Sequence, residues 1–341
     1  MTTQTATPSL NGLLRRPESG ALLGMVAVFL FFAIFGGWNF VNAGGFASWL
    51  NVASEIGIVS LPIGILMIAG ELDISIGAVI PAASMTCAVI SGYFELPLIF
   101  GVVAALGLGL LIGFINGLLV LRTKVPSLIV TLGSLFSVAG LTLGFTVLVA
   151  GSTGVPIKAG PVGKALLGQF FGSSLGFGDV FETTIIWWAL AAAIVGFFMH
   201  WSPYGNWIFA MGGDKVSARS AGIPTERLTI YMFMYSSFSA AFVGIAQAIL
   251  YNSAQVSAGQ SFIFNSIISV VIGGVLLTGG FGSVLGVVFG TMTFAIVNQG
   301  IFYTGFNANW ASLIIGVLLL AAVLMNNTFR DMALSYSGKK K

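Results

Sequence analysis

Apolar blocks about as long as a bilayer is thick follow one another from residue 21 to about residue 325. A helix needs roughly 20 apolar residues to cross the hydrocarbon core. Lipid offers no hydrogen bonds, so a chain of such blocks must satisfy its backbone internally, and a bundle of membrane-crossing helices does so. Composition excludes a soluble alternative. Of 341 residues, 57% are hydrophobic and only 7% are charged, against roughly 25% charged in a soluble domain. A secretory signal would be one short apolar run before a polar chain, whereas these blocks continue.

Ten blocks can be set out: Ala21–Trp38, Ile56–Gly70, Ile76–Gly92, Leu98–Leu121, Leu128–Val149, Thr184–His200, Leu228–Leu250, Ile267–Leu277, Val284–Phe302 and Trp310–Met325. The expected architecture is an all-α integral membrane domain over 21–328. Short polar tails at 1–20 and 329–341 flank it. A loop at 150–183 and a polar segment at 201–228 fall on opposite sides. With both termini cytoplasmic, eleven of the thirteen basic residues lie inside, and only Lys158 and Lys164 lie outside. That is the bias expected of a cytoplasmic face. Five crossings on each side of the 150–183 loop make the halves oppositely oriented, the arithmetic of an inverted repeat. The fourth and ninth blocks are both Gly-rich and each carries one asparagine, Asn116 and Asn298.

Several function classes drop out. One cysteine, Cys87, and one histidine, His200, leave no disulfide and no multi-Cys metal site. A net charge of +3 is not a nucleic-acid signature; membrane orientation accounts for the basic residues. Forty-six glycines point to helices in close contact, because small residues let helix backbones approach in lipid. Gly107, Gly109, Gly113 and Gly117 stripe the fourth block, and Gly282, Gly286 and Gly290 stripe the ninth. They are read as packing residues, as are Gly273, Gly274, Gly279 and Gly280.

Glu71 and Asp73 stand in the otherwise apolar run Gly70-Glu71-Leu72-Asp73-Ile74-Ser75. A charge near the bilayer centre costs at least about 2.5–3.5 kcal/mol and usually faces a cavity or a partner. Pro62 and Pro81 on either side predict bent or broken helices. The segment is then a polar wall of a transport path, or else a solvated cytoplasmic turn. Asn116 and Asn298 need hydrogen-bond partners in lipid, either as interhelical glue or as substrate contacts. Glu55 is placed at the external end of the second block. Within 204–228, Asp214 after Gly212-Gly213 reads as an N-cap, Lys215–Ala221 as a short helix, and Gly222 with Pro224 as its stop. A helix so short lies on a membrane face and offers its ends to another protein. Gly-Gly-Asp-Lys lacks the spacing of a phosphate loop, so no nucleotide motif is present.

Four segments resemble the permease subunits of ribose-type monosaccharide ABC importers, in the superfamily that also holds branched-chain amino acid permeases. They are Gly70–Gly77; Asn116-Gly117 with Val125–Gly133; Ala210–Asp214 with Ala221-Gly222-Ile223; and Ile272-Gly273-Gly274 with Thr278–Ser283. The resemblance covers about residues 50–328. It implies a type II ABC importer-like fold without a cofactor. It also implies a second permease subunit, identical or homologous, a cytoplasmic ABC ATPase and a periplasmic sugar-binding protein. Glu71, Asp73, Ser75, Asn116 and Asn298 are expected along the substrate path. Gly212, Gly213, Asp214, Lys215, Ala218, Arg219, Ala221 and Gly222 are expected to couple to the ATPase. Glu71 departs from the family pattern, which has glycine there. The expected site is the bacterial inner membrane. An ion-coupled secondary transporter, with Glu71 and Asp73 as ion sites, and an amino acid permease are the alternatives. An intramembrane enzyme finds no catalytic constellation.

Overall fold

A computed structural model describes residues 17–157, 167–176 and 178–310, together with 313, 314, 316, 317, 320, 321 and 324. Residues 1–16 with the first basic pair, Lys158, Lys164, the C-terminal tail and half of the tenth block lie outside the described residues. Among the described residues, eleven helices of six residues or more carry the fold: α1 Pro17–Val41, α2 Ala43–Ile68, α3 Ile76–Ala88, α4 Leu98–Thr123, α5 Ser127–Ala150, α6 Thr184–Trp201, α7 Pro203–Gly213, α8 Lys215–Ser220, α9 Thr225–Leu250, α10 Gln260–Ile272 and α11 Val284–Gly300. α3 runs on through a π-turn to Tyr93. Among the described residues, eight helices are long and apolar enough to cross a membrane. Strands are minor. β1 (Gly154–Pro156), β2 (Ser174–Leu175), β3 (Phe181–Glu182) and β4 (Ser253–Gln255) form two short antiparallel pairs, β1 with β4 and β2 with β3.

Three boundaries differ from the sequence reading. α2 begins thirteen residues before Ile56, at Ala43, where the Asn42 side chain accepts from the Gly45 amide at 2.9 Å. Neither Pro62 nor Pro81 interrupts its helix. The break falls between them, at Gly70–Ser75, while α1 leaves helical geometry at Gly37. The eighth block shifts toward the N-terminus. α10 is a 13-residue helix that stops at Ile272, because Gly274 takes φ 83° and the Val275 amide returns to the Val270 carbonyl. The same left-handed glycine turn ends α2 at Gly70 and α8 at Gly222, with Glu71 N–H on Leu66 and Ile223 N–H on Ala218.

α2 is the centre of the bundle and is buried along most of its length. It packs against α9, α10 and α11, and α9 packs against α2, α3 and α4. α3 packs on α4 as α10 packs on α11. Exchanging α2, α3, α4 with α9, α10, α11 therefore maps these neighbours onto themselves. α2 and α9 run antiparallel, since Glu55, midway along α2, meets Gln247 in the last turn of α9, while Glu71, just past the end of α2, meets Lys215, which precedes α9. The first helix of each half breaks the exchange: α1 packs on α11, but α6 packs on α2.

Glycine sets the closest approaches. A Cβ on Gly109, Gly113 or Gly117 of α4 would collide with α9 around Ser237, Phe233 and Ile230, whereas Gly107 faces open space. Gly273, Gly286 and Gly290 let α10 and α11 touch backbone to backbone. The reading of Gly274, Gly279, Gly280 and Gly282 as helix-packing residues is corrected. All four lie outside helices, with φ of 83°, 84°, 73° and 154°, conformations that disfavour a side chain.

Candidate functional site

The Gly70–Ser75 break is where the polar residues converge. Asp73 and Ser75 are fully buried. Asp73 Oδ1 accepts from the Ser75 amide at 2.9 Å and from its hydroxyl at 2.6 Å. Asn116 on α4, also fully buried, donates from Nδ2 to Ser75 Oγ at 2.9 Å. Ser134 on α5 in turn donates to Asn116 Oδ1. The backbone of the break is held from α5 as well: Leu72 N–H donates to Ser127 Oγ at 3.0 Å, and Ile74 N–H to Thr131 Oγ1 at 3.3 Å. Such bonds are needed because the break leaves amides without helical partners in an apolar surround.

Ser127, Thr131 and Ser134 recur at spacings of four and three, so one face of α5 presents the first two to the break and the third to Asn116. Sequence reasoning did not select them. That spacing within an apolar block was the signal. Ser134 and Asn116 also line a groove of about 420 Å³ between α4 and α5, with Thr123 and Ser137 among its walls. The network thus ends at an open surface.

Its other end is tied to α7 and α8. Gly212 sits so tightly on the Ile68 carbonyl and the Gly280 amide that no Cβ fits. Gly280 N–H donates to Ile68 O at 2.8 Å, and Gly279 abuts Gly212 and Gly70. Lys215 Nζ forms an ion pair with Glu71 Oε1; the lysine side chain is 37% exposed and the glutamate 11%. Glu71 is therefore neither a bare path residue nor a freely solvated turn residue. Beside this pair a cleft of about 500 Å³ is walled by Lys124, Ser127, Arg219 and Glu226.

α8 has the expected geometry. Asp214 caps it, accepting from Val216 N–H at 2.9 Å, and its second oxygen accepts from Ser217 Oγ at 2.5 Å. These bonds, the Ser217 hydroxyl foremost, hold the Asp214 carboxyl below the usual range. Ala218 faces inward, while Val216 is 75% exposed. Arg219 pairs with Glu226 at 2.8 Å on the surface. Gly213 has open space around it, and Ala221 leads into the Gly222 turn. α7, which precedes this cap, is a helix within a stretch whose sequence shows only a polar segment.

Asn298 is not part of the network. It lies on α11, accepts from Gln299 Nε2 at 2.9 Å, and belongs to the side of the bundle that packs on α1 and α2. Glu55 is corrected from a helix end to the middle of α2, where it is buried and accepts from Gln247 at 2.8 Å. Asn51 and Ser54 nearby pin the Val180–Thr184 segment over this end of the bundle. Among the described residues no cluster of His, Cys, Asp and Glu is arranged to hold a metal.

Known proteins place this architecture. Residues 45–323 match the family described as branched-chain amino acid transport system / permease component. The fructose import permease protein FrcC of Rhizobium meliloti is 29% identical over 319 residues, covering 93% of this chain and 87% of its own. The ribose import permease protein RbsC of Escherichia coli strain K12 is 27% identical over 290 residues, covering 85% and 87%. The probable ABC transporter permease protein YphD of the same strain is 30% identical over 315 residues, covering 91% and 89%. The match spans most of the chain and includes both the Gly70–Ser75 break and the α7–α8 segment, so the chain is a multi-pass membrane permease of this ABC transporter family.

Proposed function

We propose that this chain is the membrane-spanning subunit of an ATP-driven importer that carries a sugar or sugar-like solute across the bacterial inner membrane. Both termini lie in the cytoplasm. ATP is hydrolysed on a separate cytoplasmic subunit that grips α8. A periplasmic binding protein delivers the solute, and a second permease, identical or homologous, completes the pathway. Within this reading Asp73, Ser75, Asn116 and Ser134 form the polar wall of the path, opening on the α4–α5 groove. Asp214, Lys215, Ala218, Arg219 and Gly222 build the docking element.

One observation carries the reading. Two helices too short to span, α7 and α8, are seated through Gly212 on the end of α2 and through Lys215 on Glu71, beside the break that holds the buried polar network. Sugars present hydroxyls, which a wall of two hydroxyls, one amide and one carboxylate can meet with both donors and acceptors. The names of the relatives favour sugars over amino acids, although the family description mentions the latter.

The test is gentle detergent capture of the chain from its native membranes, with the co-purifying proteins identified. An ABC ATPase in the eluate supports the reading, and the ligand of a co-purifying binding protein names the solute class; a branched-chain amino acid there would overturn the sugar assignment. Capture of the chain alone, with uptake surviving ATP depletion while the ion gradient persists, would put the ion-coupled transporter in its place. Asp214→Arg, which removes the cap and reverses a surface charge, is expected to abolish ATP-driven uptake while the protein still purifies folded. Normal uptake by that variant would sink the docking role of α8.

A further inference from the structure

Resting on that reading, we infer that the Glu71–Lys215 ion pair is the mechanical link between ATPase docking and the transport path. Lys215 is the first residue of α8, and Glu71 the first residue after the glycine that ends α2. The pair spans 144 residues of sequence. From Glu71 the connection is continuous: Leu72 on Ser127, Ile74 on Thr131, Asp73 on Ser75, Ser75 on Asn116, and Asn116 on Ser134 at the groove.

Gly212 of α7 packs on Ile68 O and on the Gly280 amide, Gly279 packs on Gly70, and Ile208 and Met211 of α7 are buried apolar side chains. Such packing transmits a push, because atoms in contact cannot interpenetrate. It resists a pull less sharply, because each dispersion contact is weak and falls off quickly with distance. An ion pair with one carboxylate largely buried resists separation. Glu71 and Lys215 thus supply the missing half of the motion: when the ATPase draws α8 away, the pair draws the break with it. Glu71 and Lys215 are positioning residues in this scheme and need not touch the solute.

A chain of contacts becomes a coupling route only when coupling is measured. The reporter is Ser137→Cys, which is exposed on the groove wall one turn from Ser134; the native Cys87 is buried and stays silent. The complex captured with its ATPase is labelled with a maleimide, with and without ATP plus vanadate. In the otherwise native complex the labelling rate is expected to change on ATP–vanadate trapping. Glu71→Gln is isosteric; it should keep the ATPase bound and hydrolysing yet shrink that change about fivefold. Glu71→Asp, which keeps the carboxylate, should recover at least half of it. An undiminished response in Glu71→Gln overturns the link and leaves the importer reading standing. So does a Glu71→Asp complex that binds and hydrolyses ATP but responds no better than Glu71→Gln. If no ATPase is captured with the native chain, the importer reading falls, and the link with it.

Discussion

Asp73 is the residue on which the buried network turns. Its Oδ1 satisfies both the amide and the hydroxyl of Ser75. Asp73→Ala strands those donors in an apolar interior, where each unsatisfied group costs about 1–3 kcal/mol. The expected result is a thermal midpoint lower by several degrees in detergent. Asp73→Asn retains an acceptor oxygen and should lose much less. Asp214 gives a prediction of a different kind. Its carboxyl is held low by the Ser217 hydroxyl and the Val216 and Ser217 amides, so folding favours the anion. That contribution is present above the unfolded value, about 3.9, and disappears as pH falls through the folded value. Hydrogen-exchange protection of the 214–222 peptide should therefore hold at neutral pH and collapse only in acid. Asp214→Ala should lose protection at all pH values, whereas Asp214→Asn should keep it without the acid transition.

At the scale of the element, the contrast between two adjacent glycines is decisive. Gly212 ends α7 against Ile68 and Gly280, while nothing lies within 4 Å of a Cβ on Gly213. Gly212→Ala is expected to lift α7 from the break, lowering thermal stability and uncoupling ATP hydrolysis from uptake. Gly213→Ala should match the native protein in both assays. The elements themselves were largely legible in the sequence, since hydropathy alone marks long apolar runs. α8 was legible to within a residue because Asp214 and Gly222 are local signals at its two ends. The start of α2 was not. Ala43–Glu55 mixes Asn51, Ser54 and Glu55 with apolar residues; Ser54 and Glu55 are buried against Thr184 and Gln247, and the half-buried Asn51 binds the Val180–Glu182 segment. The partnership of Glu71 with Lys215 was equally invisible, since no local pattern relates residues so far apart. Pro62 and Pro81 flank the break at Gly70–Ser75 without sitting at it: each lies inside a continuous, buried helix.

For the whole molecule, the orientation predicts that a fluorescent protein fused after Lys341 folds and fluoresces, while alkaline phosphatase at the same point stays inactive. Phosphatase inserted after Gly151 should be active. Reversed activities would invert the topology and place α8 on the wrong face for an ATPase. The junction under α8 has a consequence in time as well as in space. It is made from the end of α2, the end of α7 and the Gly279-Gly280 turn. These pieces come from the first, second and last parts of the chain to be synthesised. α7 and α8 are therefore translated before the whole of their seat exists, and Gly212 can be seated only after residue 280 has emerged. A stalled or truncated chain presents the same helices without their full foundation. The geometry offered to a partner on that face is in this way a certificate of completion, issued by the last third of the protein through a surface encoded in the middle.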